Sequence, residues 1–111
     1  DVTGVDLGRI AGTRLTFTDA TRHADGRVFF LAAAEASPNA IDDGVVVGTA
    51  VGRIDGAALQ VLPLLDERGA PLLDKVEGIA FAADGRCFVV VDKDDPDVPA
   101  DLLIVGLPHL P

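Results

Sequence analysis

The feature that most constrains this chain is that it contains itself. Sliding the 111 residues by 59 positions lays Ala24, Asp25, Gly26 and Arg27 on Ala83, Asp84, Gly85 and Arg86. The same register puts Phe29 on Phe88, Leu31 on Val90 and Glu35 on Asp94, after which a one-residue deletion changes the offset to 58. Pro38 then meets Pro96, Asp43 meets Asp101, and Val45, Val46, Val47 and Gly48 lie over Leu103, Ile104, Val105 and Gly106. Four matched residues recur easily in an Ala- and Asp-rich chain. A register held through a turn, an apolar run, a Pro-containing loop and a second apolar run does not. The chain is therefore read as one small unit used twice, at about 14–65 and 75–111, each copy burying apolar surface against the other.

Each copy reads as strands. RVFFLAAAE (27–35) and RCFVVVD (86–92) are apolar runs entered from an Asp-Gly turn, and such a dipeptide between apolar runs is a strong hairpin signal. RLTFTDAT (14–21) and KVEGIAFA (75–82) supply the preceding strands, GVVVGTAVGRI (44–54) and LLIVGL (102–107) the following ones, and AALQVLPLL (57–65) a fourth strand for the first copy. The near-continuous apolar character of the second and third strands predicts sheets covered on both faces. LAAAEA (31–36) contains good helix formers, but it continues a Val-Phe-Phe run and precedes Pro38, so strand is the better assignment.

Antiparallel four-stranded meanders repeating at that spacing predict an all-β chain of about two β-propeller blades, the alternative being a two-sheet β-sandwich. The spacing exceeds the ~40 to 50 residues of common blades, with the surplus in loops. Two copies cannot close a ring that needs ~4 to 8. The expected partners are thus further blades of a parent chain or identical subunits. Residues 1–12 are the tail of a preceding blade, since GRIAG (8–12) echoes GRIDG (52–56), or else a closing strand for the second copy. The start at Asp1 and the absence of Met predict a piece of a longer product.

Composition removes several function classes. Apolar residues make up 49% of the chain, too many for disorder, and five Phe are its only aromatics, so the core is aliphatic. A net charge of −9 has the wrong sign for gripping phosphate backbones, which argues against nucleic acid. No apolar run approaches the ~18 to 20 residues of a membrane span, and the first residues lack the pattern of a signal peptide. The lone Cys87 makes no internal disulfide, so the compartment stays open.

The strings LTFTDAT, DGRVFFLAAAE, DDG, GTAVGRID, KVEGIA and VDKDDPD resemble the C-terminal blades of uncharacterised bacterial propeller proteins, distantly similar to calcium-dependent and esterase-like phytase propellers. The resemblance implies architecture first. Activity is a property of sites, and a fold does not fix it.

In an up-and-down meander the loops opposite the Asp-Gly turns share one end, and that end collects carboxylates: Glu35, Asp42 and Asp43; Asp66, Glu67 and Asp74; Asp92, Asp94, Asp95, Asp97 and Asp101. Glu77 joins them and aligns with Thr18 beside Asp19. Crowded like charges repel unless water, Arg or a cation screens them. Ca²⁺, which takes many oxygen ligands in irregular geometry, is the candidate cofactor. Asp92, Asp94, Asp95 and Asp97 form the candidate local ligand set, with Glu77, Asp19 and Glu35 as further ligands. The set is no EF-hand, since the sixth place is Asp97 rather than Gly and the twelfth is Leu103 rather than Glu. A solvated acidic loop is the competing explanation. In the first copy Glu35 and Asn39 are the oxygen carriers, with Ala33 in the place of Asp92.

Nucleophilic catalysis has little material. Ser37 would have to work with His23, in a turn at the opposite end, or with His109 near the C-terminus. Cys87 aligns with Val28 and reads as a small core residue. Gly4, Gly8 and Gly12 do not make a phosphate cradle, while Gly26, Gly56 and Gly85 follow Asp in turns. The expectation is a binding scaffold with an acidic, candidate Ca²⁺-binding rim and no catalytic activity of its own. The alternative is part of a metal-dependent hydrolase of phosphate or other esters, with bound Ca²⁺ attracting the anion and activating water.

Overall fold

The computed structural model describes residues 4–36, 44–56, 58–92, 97, 99 and 101–106. The chain is all-β, with two antiparallel meander sheets and no helix among the described residues. The first sheet runs β1 (Arg9–Ile10), β2 (Thr13–Arg22), β3 (Val28–Ala36), β4 (Val45–Asp55) and β5 (Ala58–Pro63), in chain order. The second runs β6 (Lys75–Phe81), β7 (Cys87–Asp92) and β8 (Asp101–Val105). The four strands read in the first copy and the three read in the second are all present, and a fifth joins the first sheet. The N-terminal segment is the reason: Arg9 and Ile10 pair with Arg14 and Thr13 at the edge of the first sheet, not with the second copy.

The repeat is visible at the level of single hydrogen bonds. In the first hairpin the His23 amide donates to the Arg27 carbonyl (2.8 Å) and Gly26 to His23 (2.9 Å). In the second, Ala82 donates to Arg86 and Gly85 to Ala82, both at 2.9 Å. Gly26 and Gly85 have φ of 92° and 90°, so each turn is a three-residue loop closed by a left-handed glycine. Arg27 Nε donates to Asp25 Oδ2 at 2.7 Å, and Arg86 Nε to Asp84 Oδ2 at 2.8 Å. Each guanidinium also lies over a ring two residues on, Phe29 or Phe88. Each hairpin then carries the same defect at the equivalent place, a bulge between Phe17 and Asp19 in β2 and between Val76 and Gly78 in β6.

The third strands depart from the expected register. Leu31 pairs with Val51, whereas its counterpart Val90 pairs with Leu102. Leu102 is therefore the structural equivalent of Val51, and Leu103 is not the equivalent of Val45. The β3–β4 hairpin is simply longer, reaching the Ala36–Val45 pair. Apolar runs on both sides of a long loop slide past one another in an alignment without penalty, so the sequence alone misplaced the match.

Packing follows from strand parity. Phe29, Leu31 and Val51 point from the first sheet into a core shared with Val76, Ile79, Cys87, Val89 and Val91 of the second. Phe30, Ala32, Ala34 and Ala50 point the other way, into a second cluster with Leu7 and Leu15. The second cluster works because β4 is small on that side. A Cβ at Gly52 would come within 3.0 Å of three carbons of the Phe30 ring, and one at Gly48 within 3.0 Å of two carbons of Ile10. The ring of Phe30 and the branches of Ile10 thus lie directly on glycine backbone.

β3 and β4 are covered on both faces, as the apolar runs predict. β7 is not: Cys87, Val89 and Val91 are buried, while the alternate Val90 is 42% exposed. Leu102 and Ile104, beside it on β8, are 62% and 64% exposed.

Candidate functional site

The expected acidic end falls only partly within the described residues. Glu35 is exposed at the end of β3, Glu77 is exposed at the β6 bulge, and Asp92 and Asp97 are exposed near the β7–β8 connection. Asp94 and Asp95, the centre of the candidate ligand set, lie outside the described residues, as do Ser37, Asn39, Asp42, Asp43 and His109. Among the described residues no three His, Cys, Asp or Glu side chains gather closely enough to hold a metal ion.

Two of the carboxylates have structural employment. Asp19 faces the second sheet, because the bulge at Thr18 turns it to the Leu31 side, and its Oδ2 accepts from the Ile79 amide at 2.9 Å. That bond crosses from one copy to the other and lands one residue beyond the partner bulge. The residue equivalent to Asp19 in the second copy is Gly78. Asp66 holds the β5–β6 turn: its Oδ1 accepts from the amides of Arg68 (2.8 Å) and Ala70 (3.0 Å). This is the ordinary way an Asp side chain builds a loop.

At the turn end, the guanidinium of Arg27, hydrogen-bonded to Asp25, holds that carboxyl well below the usual carboxylate range. The Arg86 amide, donating to Asp84, likewise lowers that carboxyl. His23 is packed edge-on to Phe81 (5.0 Å between centroids) and tilted against Phe29 (5.8 Å), and its Nδ1 lies 3.2 Å from Asp25. It pins the two sheets together at this end. Cys87 is buried, and burial pushes its thiol up to about 11.

A largely apolar concavity lies at the outer edges of the sheets. A groove of about 840 Å³ runs between β8 and the chain leaving β5, walled by Leu62, Leu64 and Leu72 on one side and by Leu103, Ile104 and Val105 on the other. Consecutive residues of β8 line it, so the groove follows the edge of that strand rather than one of its faces. The sequence held one signal of it, a second copy in which only three strands could be read.

A family model matches residues 1–96, and the family it describes is one of unknown function, DUF6910. The chain belongs to the DUF6910 family. No curated protein and no solved structure matches it. For this DUF6910 chain no helix among the described residues is long and apolar enough to cross a membrane.

Proposed function

We propose that this DUF6910 chain is a binding scaffold made of stacked repeat sheets, two blades of a larger propeller-like assembly whose acidic end receives a cationic ligand. The observation that supports it is the mismatch in burial between equivalent faces. Phe29, Leu31 and Val51 of the first copy are packed on the second copy. Their counterparts Phe88, Val90 and Leu102 face outward, with Val90 and Leu102 substantially exposed. The two sheets thus stack in the same sense, head to tail, and the stack offers a next sheet the face that the first sheet offers the second. Head-to-tail contacts of this kind propagate until a ring closes.

The ligand reading follows from charge. A chain of −9 with exposed Glu35, Glu77, Asp92 and Asp97 toward one end attracts cations, Ca²⁺ being the simplest. Titration calorimetry of the whole chain with Ca²⁺ and with an oligolysine peptide, at low and high salt, tests it. Salt-sensitive heat with either ligand supports the scaffold reading, and no heat with both overturns it. The hydrolase alternative needs several carboxylates converging on one point, and no described group of residues favours it.

A further inference from the structure

We infer that Asp55–Gly56, at the turn joining β4 to β5, is a site of spontaneous covalent modification, where the aspartate converts to isoaspartate through a five-membered imide. The inference is independent of what binds the acidic end. It rests on three Asp-Gly steps that the fold treats differently, Asp25–Gly26, Asp55–Gly56 and Asp84–Gly85. A fourth, Asp43–Gly44, has its aspartate outside the described residues. In every one the glycine puts no side chain between its own nitrogen and the neighbouring carboxyl, so the sequence makes all of them candidates.

Two of the steps are clamped. Asp25 Oδ1 accepts from the Arg27 amide at 3.0 Å and Oδ2 from Arg27 Nε at 2.7 Å. Asp84 repeats this with the Arg86 amide at 3.1 Å and Arg86 Nε at 2.8 Å. Each carboxylate is thereby turned toward the residue two places on, with both oxygens engaged as an anion. Ring closure needs the opposite, a carboxyl that rotates onto the next nitrogen and takes up a proton before its hydroxyl departs as water. Hydrogen bonds from the Arg27 guanidinium and from the Arg86 amide hold the two carboxyls below their ordinary range, which opposes that protonation. The attacking nitrogens are engaged too, since Gly26 donates to the His23 carbonyl and Gly85 to the Ala82 carbonyl, each at 2.9 Å. Asp55–Gly56 is built differently. The residue two places on is Ala57, so no guanidinium follows. Asp55 and Gly56 are exposed, and among the described residues the Asp55 carboxylate accepts no hydrogen bond and the Gly56 amide donates none. Arg27 acts on Asp55 through charge alone.

The step needs no reagent besides water. The Gly56 nitrogen gives up its proton and bonds to Asp55 Cγ, and the hydroxyl of that carboxyl leaves as water. Water then opens the imide. Attack at the side-chain carbonyl restores aspartate. Attack at the main-chain carbonyl breaks the original peptide linkage, frees an α-carboxylate and leaves the chain running through Cβ and Cγ. Mass is unchanged, and the main chain gains one methylene. Asp55 pairs with Ala58 across this turn, so the added length opens the β4–β5 hairpin at its closed end.

The test incubates the folded chain in mildly acidic buffer and maps isoaspartate by proteolysis and electron-transfer mass spectrometry. Free peptides of residues 22–29, 52–59 and 81–88 are treated alike. In the folded chain isoaspartate is expected to accumulate at Asp55 about tenfold faster than at Asp25 or Asp84, while the three peptides react at similar rates. Arg86→Ala, at a side chain 57% exposed, removes the guanidinium half of one clamp and raises the rate at Asp84 severalfold. Equal rates at the three sites of the folded chain overturn the proposal. Peptides that reproduce the ranking of the folded chain overturn it as well, because the selectivity then belongs to the sequence and not to the fold. So does an Arg86→Ala chain, folded by circular dichroism, whose Asp84 reacts no faster.

Discussion

Replacing Gly52 by Ala adds one methyl group in the worst available place. The new Cβ would sit under 3.0 Å from three carbons of the Phe30 ring, which is fully buried and cannot swing into solvent. Either the ring or β4 must shift, and overpacking of this kind costs about 1–3 kcal/mol. A shifted ring also spoils its edge-on contact with Phe17, 5.0 Å between centroids, an arrangement contributing about 0.5–1.5 kcal/mol. Against these stands a gain of about 0.4–1 kcal/mol from stiffening the unfolded chain. The expected net is a destabilisation of about 2 kcal/mol. Phe30→Leu alone is also destabilising, since it removes buried ring surface, by about 1–3 kcal/mol. In the double variant the leucine vacates the space the methyl group needs, so the two losses do not add, and a coupling of about 1 kcal/mol or more appears in the cycle. Urea unfolding followed by far-UV circular dichroism measures all four proteins; with neither Trp nor Tyr in the chain, intrinsic fluorescence reports little. Losses that add to within about 0.3–0.5 kcal/mol would show that Phe30 does not lie on Gly52.

Other substitutions probe other joints. Asp19→Ala leaves the Ile79 amide without its acceptor in a partly buried place, an expected loss of about 1–3 kcal/mol, whereas Asp19→Asn keeps an acceptor oxygen and recovers most of it in the same unfolding assay. Ala11 has a φ of 51° in the β1–β2 turn, so Ala11→Gly relieves left-handed strain and raises stability by about 1 kcal/mol, read as a higher urea midpoint. The Cys87 thiol, raised by burial from 9.0 to about 11, stays protonated in the folded chain while the unfolded chain ionises. Its contribution to stability is complete below pH 9 and lost as pH rises toward 11, and Cys87→Ala flattens that part of the profile. Modification by a thiol reagent at pH 8 should proceed only at the rate of unfolding.

What the sequence made legible was local. The Asp-Gly turns, the hairpins they close and the repeat register all come from contiguous residues, and the two turns share one pattern of hydrogen bonds. The third-strand register was not legible because Val45–Val47 and Leu103–Val105 are interchangeable apolar runs, and only pairing with β3 or β7 places them. Asp19 was read as a ligand because its type and neighbourhood are acidic; its hydrogen bond to a backbone amide of the other copy, set by the bulge beside it, was not legible. The small residues Gly48 and Gly52 carried no visible role until Ile10 and Phe30 were seen lying on them. Long-range packing of this sort leaves almost no trace in a single sequence.

The claim on which the account stands is that the two copies stack in one direction, with the Phe29 and Leu31 side of the first against the Val89 and Val91 side of the second. Methyl and aromatic NOE spectroscopy on the labelled chain tests this most directly. The account predicts cross-peaks from Leu31 and Phe29 to Val76, Ile79, Val89 and Val91, and none to Val90 or Leu102. Cross-peaks joining Leu31 to Val90 or Leu102 would mean that equivalent faces meet each other, and would contradict it.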